Sequence, residues 1–155
     1  MPKALVVGYG NPLRGDDGVG WVVAEKLREI LPDKQVLIRT CVQLTPELAL
    51  DLSEVEVAVF IDAKCAEPAG SVECVSVSPS PVSQTFSHHF TPSTLLAYTQ
   101  QFFGKAPQTF LVSVNGKDFG FQTQLSQPVQ NAVPAVIKVV QDLLEHLDIV
   151  LTNGE

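Results

Sequence analysis

The stretch "VVGYGNPLRGDDGVG", residues 6–20, decides the fold. A short apolar run meets a glycine-rich loop, and an amphipathic helical pattern follows. That order opens a βα unit of an α/β domain, with the loop at the carboxyl end of the strand. Gly8 and Gly10 match the first two glycines of a dinucleotide fingerprint, but the third position holds Leu13. Asp16 and Asp17 stand at the helix start, where they would repel a pyrophosphate. The loop is built like an anion cradle and charged like a cation site.

The rest of the chain alternates in the same way. Residues 3–7 read as a buried strand. Val19, Val22, Val23, Leu27 and Ile30 form one helical face, ended by Leu31-Pro32-Asp33. Residues 35–40 are a second strand, and Thr45-Pro46 can cap and open a short helix. "VEVAVFIDA" (55–63) is apolar enough for a central strand covered on both faces. Residues 70–77 alternate polar and apolar, as nearer a sheet edge. A Ser/Pro/Thr-rich loop over 78–91 holds His88 and His89.

Pro92 opens a helix with Leu95, Leu96, Phe102 and Phe103 that stops at Gly104. Residues 109–114 form a strand, and Asn115-Gly116-Lys117-Asp118 a turn. The last helix presents Val133, Val136, Val140, Leu143 and Leu147, and starts either at Ser126 or near Asn131, since Pro134 suits a first turn. These elements predict a single three-layer α/β/α domain over residues 1–150 with a mostly parallel twisted sheet, then a frayed tail at 151–155.

Composition narrows the function. At 155 residues, 45% hydrophobic and 17% charged, the chain suits one globular domain. A net charge of -7 disfavours nucleic acid as a partner. No stretch approaches the ~20 apolar residues of a membrane span. The opening MPKALVVG is too short an apolar run for a signal peptide. Cys41, Cys65 and Cys74 have no C-x-x-C spacing, so reduced thiols in the cytoplasm are expected.

Candidate chemistry collects at the carboxyl ends of the strands: residues 8–17, 62–65 and 86–91. Asp16 reads as a structural cap of the first helix. Asp17 stands open between that role and a site. Asp62, ending an apolar strand, is either a loop anchor or a site residue. Of the adjacent His88 and His89, at most one joins a site, because neighbours in an extended segment point apart. Two carboxylates and an imidazole would suit Ni, Mn, Zn or Co with positions left open, or act as acid and base. Cys65 reads as a small buried hydrophobe and His146 as a surface residue.

On the segments "GYGNPLRGDDGVG" (8–20), "VFIDA" (59–63) and "SHHFTP" (87–92), the chain resembles the hydrogenase maturation proteases. These are endopeptidases that trim the C-terminus of the [NiFe]-hydrogenase large-subunit precursor. "QLTPELA" (43–49) is similar to the subgroup serving bidirectional, NAD-linked hydrogenases. The resemblance implies a phosphorylase/hydrolase-like α/β fold. It implies three metal ligands: Asp17, where many members have glutamate, Asp62 and His88.

It also implies a nickel-dependent, aspartyl-type endopeptidase, cytoplasmic and expected to be monomeric. The nickel would arrive with the precursor, and Asp17 or Asp62 would serve as general base. Two readings compete with this one. One is a non-catalytic nickel-sensing chaperone of the precursor; the other is a small nucleotide-binding enzyme using the glycine loop.

Overall fold

The computed structural model describes residues 1–81 and 89–149. Within them, β1 (Ala4–Tyr9) leads through a 3-10 turn (Gly15–Gly18) into α1 (Val19–Ile30) and β2 (Val36–Cys41). Then come α2 (Leu48–Ser53), β3 (Val57–Cys65), β4 (Val72–Val77), α3 (Pro92–Phe103), β5 (Gln108–Gly116) and α4 (Gln127–His146). The sheet order is β2-β1-β3-β5-β4, with every pairing parallel except β4 on β5. The alternating segment over 70–77 is therefore the antiparallel edge strand. The expected mostly parallel sheet is what the chain forms.

Both faces of the sheet are covered. Val6, Val59, Ile61, Val112 and Val114 pack against Val19, Val23 and Leu27 of α1 and Val133, Val136 and Val140 of α4. On the other face, Leu5, Val7, Ala58 and Phe60 pack against Leu48 and Leu52 of α2 and Leu95 of α3. Alternate residues of one strand face opposite layers, so β1 and β3 must be apolar throughout. This is the three-layer domain expected from the alternation of elements. None of the described helices is long and apolar enough to cross a membrane.

Local chemistry sets the element ends, with some departures from expectation. Thr91 caps α3 in a reciprocal capping box with Thr94, and Gly104 ends that helix with φ 78°. The first helix is two pieces: the 3-10 turn holds both aspartates, and α1 proper begins at Val19. Thr45 and Pro46 form a turn, and α2 starts only at Leu48. Ile30, Phe102 and Phe103, in the last turns of α1 and α3, are exposed. The last helix begins after Ser126 and takes Pro134 inside it. Residue 150 and the expected frayed tail, 151–155, lie outside the described residues.

Candidate active site

The chain leaves β1 toward β2 on one side of the sheet, while the later strands add on the other. The gap between the carboxyl ends of β1 and β3 is thus the topological switch point, where α/β sheets bind ligands. Glycines let three backbones meet there. A Cβ on Gly8 would stand 2.1 Å from the carbonyl oxygen of Gly20, and one on Gly20 would stand 2.6 Å from that of Ile61. The start of α1 therefore rests directly on β1 and β3. Gly10, at φ +136°, brings the chain against the Asp17 carbonyl, 2.1 Å from where a Cβ would sit.

This loop offers no phosphate cradle. From Gly10 to Asp17 every backbone N–H is donated within the fold; Pro12 has none. Gly10 donates to the Cys41 carbonyl, Asn11 to the Asp17 carboxylate, Leu13 to the Asn11 side chain and Arg14 to the Asn11 carbonyl. Gly15, Asp16 and Asp17 donate to the carbonyls of Gln122, Asp118 and Arg14. An anion would find no unpaired amides to bind.

Asp16 is fully buried. Its Oδ2 accepts from the N–H groups of Lys117 (2.7 Å) and Asp118 (2.9 Å) and from the Ser126 hydroxyl (2.7 Å). Its Oδ1 accepts from the Ser126 N–H at 2.7 Å. Burial pushes this carboxyl up, but the four hydrogen bonds outweigh it and hold it below its ordinary value. Asp16 is structural, as expected, but it is not a helix cap. It ties the turn after β1 to the loop after β5, because that loop, not the helix, brings the donors.

Asp17 and Asp62 face a different setting. Asp17 is half-buried, and its Oδ2 accepts from the Asn11 N–H at 2.7 Å. Asp62 lies near the end of β3, with its oxygens shared between two hydroxyls. Tyr9 donates to Oδ2 at 3.0 Å and Ser113 to Oδ1 at 2.8 Å. Burial pushes the Asp62 carboxyl up, the two hydroxyls pull it back, and the charge of Asp17 pushes it up again; the net is upward. Burial, then the Asp62 charge, also drive the Tyr9 phenol well above its ordinary value, so it remains a neutral donor. Asp17 acts on both groups. The two carboxylates therefore share one electrostatic site and repel each other across it.

A divalent cation would relieve that repulsion, and oxygen donors suit nickel or another first-row metal. Among the described residues no cluster of three His, Cys, Asp or Glu forms. Two of the three expected ligands, Asp17 and Asp62, stand at the same edge of the sheet, with the charge of one felt by the other. His88 lies outside the described residues. His89 is exposed, and Phe90 packs against the layer that holds Tyr9 and Phe60. Phe90, two residues before α3, thus lies on the face of the sheet that carries Tyr9.

No family model matches the chain. A protein of Methanocaldococcus jannaschii, provisionally named a hydrogenase maturation protease, is 28% identical over 144 residues, covering 88% of this chain and 92% of that one. A hydrogenase 2 maturation peptidase from a Thaumarchaeota archaeon superposes with a TM-score of 0.70 at 26% identity, over 92% of this chain and 98% of that one. The hydrogenase maturating endopeptidase HybD from E. coli shares the fold, with a TM-score of 0.75 at 22% identity and 93% of each chain covered. The chain is similar to hydrogenase maturation proteases in sequence and in fold. The likeness to these proteases spans nearly the whole chain.

Two site residues escaped the sequence reading. Tyr9 occupies an unremarked position of the opening motif. Ser113 is a polar interruption in the buried strand "TFLVSV", and its β5 register places it beside Asp62. A lone polar residue at the carboxyl end of a buried strand was the available signal. Cys65 corrects an expectation: it is exposed, because it is the last residue of β3, where burial along the strand has already fallen away. His146 is exposed, as expected.

Proposed function

We propose that this chain is an endopeptidase that removes the C-terminal extension of a [NiFe]-hydrogenase large-subunit precursor after nickel insertion. The observation that supports it best is that Asp17 and Asp62 both stand beside the switch point, within electrostatic reach of each other, in a fold shared with such proteases. In this reading nickel is part of the substrate, brought by the precursor, and Asp17, Asp62 and His88 recognise it. Bound there, nickel would supply Lewis-acid polarisation beside the scissile bond. Carboxylate oxygens hold Ni(II) more loosely than thiolates, so the ion is read without being taken.

Of the chain's own groups, Asp62 is the better proton acceptor, since burial and Asp17 both raise its affinity for a proton. The segment "QLTPELA" (43–49) supports a precursor of the bidirectional, NAD-linked class. The reaction would take place in the cytoplasm, with the protease acting as a monomer.

The test is a cleavage assay on purified precursor with and without nickel. Loss of the tail only in the nickel-loaded sample is the expected result. Nickel-dependent binding without cleavage would instead make the chain a chaperone. His88→Ala should abolish processing and His89→Ala should not. Equal loss in both, or loss only at His89, refutes the ligand assignment.

A further inference from the structure

We propose that Tyr9 and Ser113 are positioning residues that hold the Asp62 carboxylate in the orientation needed to meet a metal ion; this rests on the reading of Asp62 as a metal-recognising residue. β3 lies between β1 and β5, so Asp62 has a neighbour strand on either side. Ser113 is its register partner on β5. Tyr9 follows Gly8, the register partner of Ile61, on β1. Each supplies one hydroxyl, and each hydroxyl takes a different oxygen. A carboxylate turns easily about its terminal torsion. Two donors from opposite sides remove that freedom.

Simple satisfaction of buried hydroxyls does not explain this arrangement. Several other hydroxyls bond to nearby carbonyls, Ser53 to Leu50, Thr99 to Leu95 and Thr109 to Pro107, and that of Ser126 joins three backbone donors on the Asp16 carboxylate. Ser113 and Tyr9 instead reach a carboxylate 51 and 53 residues away. The Tyr9 ring is itself fixed, edge-on to Phe60 at 6.2 Å and 83°. Its hydroxyl is thus delivered from a packed ring. Each Asp62 oxygen has accepted one hydrogen bond and retains a lone pair for an ion. Partners of this kind around metal ligands orient them and tune their basicity.

The experiment measures Ni(II) binding to the purified full chain by calorimetry, using the nickel salt alone as probe. The Tyr9→Phe/Ser113→Ala variant should bind Ni(II) about 10–100-fold more weakly than the wild type. Ser113→Thr, which keeps the hydroxyl, should bind as the wild type does. If the double variant fails to fold, each single variant should still show a loss of about threefold or more. Near-wild-type affinity in the hydroxyl-free variants, with Asp62→Asn impaired, overturns the inference. So does Ser113→Thr binding as weakly as Ser113→Ala, which would mark a packing effect. Undiminished binding by Asp62→Asn is a different failure: it refutes the reading of Asp62 itself.

Discussion

Removing the buried Asp16 carboxylate should be among the most damaging single changes in this fold. Asp16 accepts four hydrogen bonds, three of them from backbone N–H groups of Lys117, Asp118 and Ser126. In Asp16→Ala those three donors lose their acceptor in a buried place. At about 1–3 kcal/mol for each orphaned donor, eased by water entering the space, the expected cost is about 3–5 kcal/mol. Against a domain stability of about 5–15 kcal/mol, that is a large share.

Asp16→Asn separates charge from shape. Its best pose puts the amide oxygen where Oδ2 was, keeping three donors, and turns the NH2 toward the Ser126 N–H. One donor then faces another, for a cost of about 2–3 kcal/mol. Ser126→Ala removes a donor and strands nothing, so it should cost only about 1 kcal/mol.

Urea unfolding at pH 7 with a constant slope measures all three. The pH dependence has a definite sign. The folded-state pKa of Asp16 lies below its ordinary 3.8, so its stabilisation is fully present above that value. It is lost as pH falls through the lower, folded-state pKa. The gap between wild type and Asp16→Asn should therefore close in that acid range. Asp16→Asn within about 0.5 kcal/mol of wild type at pH 7 would refute the clamp, as would a gap that does not change with pH.

Other outcomes follow from the same geometry. Gly8→Ala and Gly20→Ala each force a Cβ into backbone carbonyls, so each should cost at least about 1–3 kcal/mol in urea unfolding, Gly8→Ala the more. Asp17→Asn and Asp62→Asn should each lower precursor cleavage by about a hundredfold or more. The Asp62 pKa is raised in the fold, which opposes folding at neutral pH, so Asp62→Asn should unfold at the same urea concentration as the wild type or a higher one. Thr91→Ala breaks the capping box of α3 and should cost about 1 kcal/mol, measured in the same way.

The fold was legible because its signals are local. Apolar runs at β1, β3 and β5 and the 3.6-residue stripes of α1 and α4 name their own elements, and their alternation names the class. The edge position of β4 followed from its alternating pattern. The site was legible only in part, for the opposite reason. That Asp17 and Asp62 would stand at one edge of the sheet followed from both lying at carboxyl ends of strands. That Asp16 would turn away from α1 did not, since its partners are more than a hundred residues distant in sequence. Tyr9 and Ser113 were hidden for the same reason: only the register of three strands puts them on either side of Asp62.

Two aspartates of this chain look alike in sequence, each following a strand, and differ in what donates to them. Asp16 is held mainly by backbone N–H groups, which are fixed in direction and can only donate. Such a group tolerates one occupant, a carboxylate, and its pKa is driven down. Asp62 is held by two hydroxyls, which can turn and accept as well as donate. That environment accommodates protonation, deprotonation and a change of partner without stranding any group, and the carboxyl is driven up. Backbone donors make a joint; hydroxyl donors make a site that can change state. On this ground we assign the structural role to Asp16 and propose Asp62, with Asp17 in its field, as the carboxylate that takes part in chemistry.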